Sequence, residues 1–255
     1  MSDARCVTEF GSRRPSRPES PRMCAITPAV TICGSLALTA FMLGGCGETL
    51  FQSNFDPTAI NQPPAHIQQV GTANVDGPVG SVIVIPPPVT PSGKWVQVRR
   101  PGADAPVAGL QGNFSQFRGD GEYTLSTTLF IPSGSGVATI QFEPFNQPVG
   151  TLTNFLHIDF MPDNRVRIDD KDDTKFGSFP RDQPFIVQVT LNISASAATA
   201  RIVLSGAGAS GQADYNIIPA LRPMARQFGA IRIWMGFPWT GAFDATNIVV
   251  TRRTN

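Results

Sequence analysis

Cysteine is missing from most of the chain. The four cysteines among the 255 residues are Cys6, Cys24, Cys33 and Cys46, and none follows. The body therefore cannot build a disulfide framework or a thiolate metal site. Charge is also scarce, because 15% of residues are charged and the formal net charge is +1. This balance lacks the basic footprint of a nucleic-acid-binding protein, so no nucleic-acid partner is predicted.

Common catalytic motifs are missing as well. His66 and His157 are the two histidines, and Gly-x-Ser-x-Gly does not occur. A Ser-His-Asp site would have to use His157 without a recognisable nucleophile elbow. The glycine-rich stretch 206–212 lacks the lysine and the strand-to-helix setting of a phosphate loop, which predicts an ordinary loop.

A sustained 3.6-residue apolar stripe is absent, and alternating apolar and polar residues take its place. The clearest hairpin runs through 155–160 and 165–169, with Leu156, Ile158 and Phe160 on one face. The sequence also has 24 glycines and 23 prolines, which suits many turns. The pattern predicts an all-β fold, a two-sheet antiparallel sandwich over residues 81–255.

The N-terminal segment has the features of an export signal. Residues 25–43 carry no charge and are preceded by Arg13, Arg14, Arg17 and Arg22, a positive region before an apolar one. The stretch ends in Leu43-Gly44-Gly45-Cys46, which resembles the lipobox of bacterial lipoproteins. This resemblance implies a signal peptide over 1–45, lipid attachment at Cys46 and an extracytoplasmic, lipid-anchored protein of the bacterial cell envelope. Gly47 after the cysteine implies the outer membrane. An uncleaved membrane anchor is the alternative.

Residues 46–80 are polar and contain Pro63-Pro64, which predicts a lipidated N-terminus followed by a linker. A flexible coil of this length would reach roughly 30–35 Å. Leu50, Phe51 and Phe55 form an apolar cluster, so residues 50–55 are expected to dock as a strand.

Three segments of the body resemble a concanavalin A-like or laminin G-like jelly roll. They are the hairpin 155–170, the pair 184–206 and the closing segment 230–252. Such domains include sugar-binding lectins, adhesion modules and glycoside hydrolases, so the resemblance implies this fold and leaves the function open.

The hydrolase alternative can be compared with the sequence directly. Jelly-roll hydrolases of the laminarinase type carry Glu-x-Asp-x-Glu on one strand, where two carboxylates act as nucleophile and acid/base. The nearest match is His157-Ile-Asp159-Phe-Met161, in which both glutamates are replaced. The sequence therefore favours binding over turnover.

The densest acidic run contains four aspartates. They are Asp169, Asp170, Asp172 and Asp173. Oxygen-rich loops bind calcium, but this spacing is not that of an EF-hand, and Lys171 and Lys175 offset the charge. A solvated turn is the prediction, and no cofactor is expected; a calcium site is the alternative.

Strand alternation places several polar side chains opposite the core. The candidate ligand-binding residues on these outward faces are Trp234, Arg232, His157, Asp159, Arg165 and Arg167. An exposed indole beside arginines and carboxylates suits a sugar, because it stacks on the ring while the polar groups bind hydroxyls. Buried tryptophans outnumber ligand-binding ones, so the structural alternative is that Trp234 belongs to a minor core covered by Phe237, Pro238, Trp239 and the 217–223 loop.

These observations predict an envelope lipoprotein with a non-catalytic binding module for a glycan or a surface partner such as an envelope protein. The alternatives are a jelly-roll glycoside hydrolase and a structural envelope component that has no small ligand.

Overall fold

The computed structural model describes residues 47–89, 93–148 and 153–254. In chain order, the strands are β1 (Glu48–Ser53), β2 (Thr72–Asp76), β3 (Val82–Ile85), β4 (Trp95–Arg100), β5 (Ala108–Asn113), β6 (Gly121–Phe130), β7 (Ala138–Pro144), β8 (Leu156–Phe160), β9 (Val166–Ile168), β10 (Lys171–Phe176), β11 (Pro184–Ile193), β12 (Ala198–Ser205), β13 (Gly211–Asn216), β14 (Phe228–Met235) and β15 (Gly241–Arg253). A 3₁₀ turn (Pro219–Leu221) leads into the single-turn helix α1 (Arg222–Ala225).

The described strands form two antiparallel sheets. The first sheet has eight strands in the order β13-β12-β11-β6-β15-β4-β3, with β1 also paired to β15. The second has seven strands in the order β10-β9-β8-β7-β14-β5-β2. The all-β, two-sheet prediction is therefore confirmed.

The core lies between the two sheets because each strand turns its alternate apolar side chains inward. Phe160 of the second sheet contacts Phe185 of the first, with ring centroids 5.7 Å apart. Tyr123 and Phe228 make a similar contact at 5.2 Å. The hairpin predicted at 155–169 forms as β8 and β9, and Ile158, Phe160 and Val166 are fully buried in it.

The N-terminal strand is held by both sheets. β1 pairs with β15, Glu48 opposite Arg252 and Ser53 opposite Ile248. Phe51 is fully buried, and its ring lies so close to Gly112 of β5 that a Cβ there would stand 2.7 Å from Cζ. The apolar residues of β1 thus seal the space between the sheets, and the strand expected at 50–55 is present as 48–53.

The segment assigned to a linker differs from the expectation. β2 pairs with β5 at the edge of the second sheet, Asn74 opposite Gln111. The amide of Asn61 also donates to the carbonyl of Val84 at 2.7 Å. β2 is an edge strand with mostly half-buried side chains, so its polar composition resembles that of a linker.

The predicted signal peptide and Cys46 lie outside the described residues. Within the part of the chain that the structure describes, no helix is long and apolar enough to cross a bilayer.

Candidate functional site

The second sheet carries a row of polar side chains on the face turned away from the core, here called the outer face. Strand register aligns them across β2, β5, β14, β7, β8 and β9. They are Asn74, Asp76, Gln111, Asn113, Thr139, Gln141, Glu143, His157, Asp159, Arg167, Arg232 and Trp234. The outer face therefore brings together five of the six predicted ligand-binding residues.

A cavity of about 290 Å³ opens at one part of the outer face. Three aromatic side chains border it, namely Trp234, Phe237 and Trp239. The polar side chains around it include His157, Asp159 and Arg167. We call it the aromatic cavity. It combines apolar walls with a few fixed polar groups, the usual composition of a small-molecule site.

Two glycines make room for the indole of Trp234. A Cβ on Gly109 would stand 2.7 Å from the Cβ of Trp234, and a Cβ on Gly236 would collide with the indole ring. Trp234 is half-buried, and its buried Nε1 finds no hydrogen-bond acceptor among the described residues. The indole therefore lies close to the backbone of Gly236.

The minor-core interpretation of Trp234 requires several neighbouring groups to cover its side chain, and the structure places only some of them there. Phe237 and Trp239 do border the same cavity, as the minor-core interpretation requires. The 217–223 loop lies elsewhere, because Ile217 donates its amide to Ala198 and Arg222 donates to Ser196, far from Gly236 in the strand register.

The carboxylate of Asp159 is the most tightly held polar group of the cavity. It is 4% exposed, accepts a hydrogen bond from Thr139 at 2.8 Å and pairs with the Arg167 guanidinium at 2.9 Å. Burial opposes the charge of Arg167, but its hydrogen bond to Asp159 and the nearby carboxylates outweigh this effect and raise its pKa. Asp159 and Arg167 therefore form a fixed ion pair at the edge of the cavity.

The acidic run lies beside this pair. Asp169 and Asp170 form the turn between β9 and β10 and have φ angles of 52° and 56°. Asp170 pairs with Arg167 at 2.6 Å, and Asp172 lies 3.4 Å from Lys175. Asp172 and Asp173 belong to β10, a polar strand where the sequence predicted a solvated turn.

A triad of possible metal ligands also lies here. One ligand atom each from His157, Asp159 and Asp170 fall within 4.8 Å of one another. The guanidinium of Arg167 bonds both aspartates of this triad, so a cation could use all three ligands only after Arg167 moved away. The single positive charge of Arg167 offsets part of the negative charge of these carboxylates.

Arg232 and Arg165 lie outside the aromatic cavity. Arg232 is 1% exposed, and its Nε lies 3.1 Å from Oε1 of Glu143. The two groups form a salt bridge, but their geometry does not make a hydrogen bond. Glu143 is itself fully buried and accepts a hydrogen bond from Gln111 at 2.6 Å. Burial raises the pKa of Glu143, against the opposing effects of Arg232 and Gln111.

Arg165 is exposed and makes a 3.5 Å contact with the carbonyl of Lys175.

A second cavity, of about 490 Å³, adjoins the first and shares Trp239 with it. It is bordered by the turn 133–136 and by Arg181. Arg181 donates to Asn164 at 2.9 Å and to the carbonyl of Met161 at 2.8 Å, and it stands over the ring of Phe179 at 5.1 Å. Burial lowers the pKa of Arg181. This arginine ties together the loops that shape the second cavity, a role that strand alternation could not reveal.

Comparison with known proteins identifies the fold and not a family. No protein-family model matches the chain, and no curated protein matches it. Among solved structures, the endo-1,3-β-glucanase from Streptomyces sioyaensis superposes with a TM-score of 0.50 at 11% identity, over 82% of this chain and 97% of the enzyme.

Two plant proteins are also similar. Arcelin-5, a lectin-like defence protein from Phaseolus vulgaris, gives a TM-score of 0.48 at 12% identity, over 74% of this chain and 96% of arcelin-5. Lectin I from Ulex europaeus gives 0.46 at 12% identity, over 76% and 96% of the two chains. The architecture and the match to the glucanase define the class: this chain is a concanavalin A-like jelly-roll sandwich.

Proposed function

We propose that this protein is a glycan-binding module, and that the aromatic cavity is its binding site. The observation that carries the proposal is the half-buried indole of Trp234 in a cavity that also has Phe237, Trp239 and fixed polar groups. A sugar ring presents an apolar face and a rim of hydroxyls, so it needs an aromatic surface and donors and acceptors beside it. The fold agrees with this use, since solved neighbours are named as lectins and a glucanase.

Unpartnered polar atoms at the cavity support a ligand with hydroxyl groups. Among the described residues, Oε1 of Gln141 and Nε1 of Trp234 are buried and make no hydrogen bond. Both side chains border the aromatic cavity. A hydroxyl donates and accepts, so it can satisfy an amide oxygen and an indole N–H together.

The charges around the cavity favour a neutral glycan over an acidic one. Arg167 is shared by Asp159, Asp170 and Asp172, at 2.9, 2.6 and 3.8 Å. Its positive charge is thus fully engaged by carboxylates. A sugar acid would meet these carboxylates, and among the described residues no arginine or lysine other than Arg167 borders the cavity to bind it.

The geometry favours binding over hydrolysis. β8 turns His157 and Asp159 outward, and Asp159 is the one carboxylate on this strand. Asp159 is engaged by Thr139 and Arg167 and so is poorly placed to attack or protonate a substrate. A retaining glycosidase needs two carboxyl groups about 5–5.5 Å apart on either side of the scissile bond. Asp159 and Asp170 each have an oxygen within 4.8 Å of the other, but both carboxylates are bound by the Arg167 guanidinium and are not free to act on a substrate.

The binding site is tested by Trp234→Ala in residues 47–255, screened on an array of immobilised glycans. We expect the variant to lose at least about 2 kcal/mol of binding energy, about thirtyfold in Kd, for every glycan bound by the wild type. Its unfolding free energy should fall by less than the roughly 3–5 kcal/mol of a core aromatic residue, because the indole is half-buried.

Phe160→Ala is the matched control, because Phe160 is fully buried and does not border the cavity. It should show the full core penalty. A Trp234 variant that unfolds as readily as the Phe160 variant, or one that keeps its glycan binding, would contradict the proposed site.

We also propose that the module is held at the bacterial outer membrane by a lipid on Cys46. The support is the Leu43-Gly44-Gly45-Cys46 motif behind the uncharged stretch 25–43. We expect Cys46→Ser in the full chain to abolish labelling by radioactive palmitate and to prevent conversion to the mature form. A palmitate-labelled mature Cys46→Ser protein would exclude this anchor.

A further inference from the structure

The predicted lipid site is separated from the folded domain by one residue. β1 begins at Glu48, and Gly47 already lies against Arg252, whose carbonyl oxygen would stand 3.6 Å from a Cβ at this position. Cys46 and Glu48 are two residues apart, so their Cα atoms are at most about 8 Å from each other. A flexible linker could have held the domain roughly 30–35 Å from the lipid, but no such length is present here.

We propose that the sandwich rests directly on the phospholipid bilayer through the end at which β1 begins, which we call the seating surface. The inference rests on the proposed acylation of Cys46. Strand register defines this end, because Glu48 pairs with Arg252, Glu122 with Arg253 and Ile193 with Gly121. It comprises Gly47 and the turns 115–120, 194–197 and 217–227.

The seating surface has the chemistry of a membrane interface. Phe117 and Ile218 are 50% and 44% exposed, and they can enter the boundary between headgroups and acyl chains. The arginines at this end are Arg118, Arg222, Arg226, Arg252 and Arg253, and the acidic residues are Glu48, Asp120 and Glu122. The excess of arginine suits the phosphate groups and the net negative charge of a phospholipid surface.

The candidate glycan site lies at the opposite end. β14 starts at Phe228, opposite Pro144, and finishes at Met235, beside Gly236 and the aromatic cavity. β15 likewise runs from Gly241, opposite Arg100, to Arg253 at the seating surface. Thirteen residues of strand span roughly 40 Å, so the seated domain presents its cavities about that far from the lipid.

The test uses the full-length protein, purified in its acylated form and reconstituted into vesicles of phosphatidylethanolamine and phosphatidylglycerol. Two exposed positions are changed one at a time, Ala195→Cys at the seating surface and Val79→Cys at the opposite end. Cys46 is acylated and residues 1–45 are removed, so the new thiol alone takes a donor fluorophore. Energy transfer to a headgroup-labelled lipid then reports the distance of each position from the bilayer.

We expect transfer from position 195 to be several-fold more efficient than from position 79. A matched chain with about 20 Gly/Ser residues inserted between Cys46 and Gly47 should lose most of this difference, because such a linker reaches roughly 25 Å. Wild-type protein that does not float with vesicles would exclude the lipid anchor and this inference together. Protein that floats but shows equal transfer from both positions, or a difference that the linker leaves unchanged, would overturn the seating alone.

Discussion

Replacement of Arg232 by methionine is expected to lower the free energy of unfolding by about 3–5 kcal/mol at neutral pH. The change removes the cation that lies 3.1 Å from Glu143, and it leaves a carboxylate that is fully buried. Glu143 keeps its hydrogen bond from Gln111 but loses its counter-ion, and a buried charge without a counter-ion is far costlier than the ion pair itself is stabilising. Urea unfolding followed by tryptophan fluorescence measures the loss.

Two further measurements connect this loss to Glu143. The double variant Arg232→Met, Glu143→Gln should recover most of the lost stability, because it removes both charges and keeps an amide beside Gln111. The single variant should also be less destabilised at pH 5 than at pH 7.5, since the pKa of Glu143 is already raised by burial and loses the opposing effect of Arg232. Equal losses in the single and double variants would contradict the ion pair.

Asp244→Asn is expected to stabilise the protein above pH 6. Burial raises the pKa of Asp244 from its ordinary 3.8 to about 6, against the hydrogen bond from Gln97. The folded state therefore holds a proton that the unfolded state releases between these values. The resulting stability is fully present below pH 3.8 and is lost as the pH rises through about 6.

The loss amounts to about 3 kcal/mol, from two pKa units at 1.36 kcal/mol each. Asparagine does not ionise, so it avoids the cost of a buried charge. Its side-chain oxygen can still accept the hydrogen bond that Gln97 donates to Asp244 at 3.1 Å in the wild type. Melting curves from pH 4 to pH 8 should show a gain for Asp244→Asn that grows with pH up to about that size. Asp104→Asn, at an exposed position, is the matched control and should follow the wild type.

The strands with apolar alternation could be predicted from the sequence, and the others could not. β8, β11 and β14 bury Ile158, Val187 and Ile233, so their period of two is visible in the residue types. β5 escaped detection because it has Gly109 and Gly112 where Trp234 and Phe51 press against its backbone. β10 and β13 are polar edge strands of the two sheets, and their half-exposed side chains look like those of turns.

The candidate site could likewise be predicted only in part from the sequence. Alternation correctly put Arg232 and Trp234 on the same face, but it carries no information about what lies above that face. Arg232 is buried beside Glu143, whereas Trp234 borders a cavity. Phe237, Trp239 and Arg181 lie in loops, and Arg181 is positioned by contacts with the distant residues Met161 and Ser135. No local pattern encodes such contacts.

The pairing of β1 with β15 also determines when the protein can fold. Glu48 and Arg252 are partners although roughly 200 residues separate them, and Phe51 completes the core from this strand. Contacts between such distant residues must overcome a large loop-closure entropy, which slows folding to milliseconds or seconds. A partly synthesised chain lacks the last strand and cannot close the first sheet. The pairing of β1 and the burial of Phe51 therefore cannot be completed until β15 has been synthesised.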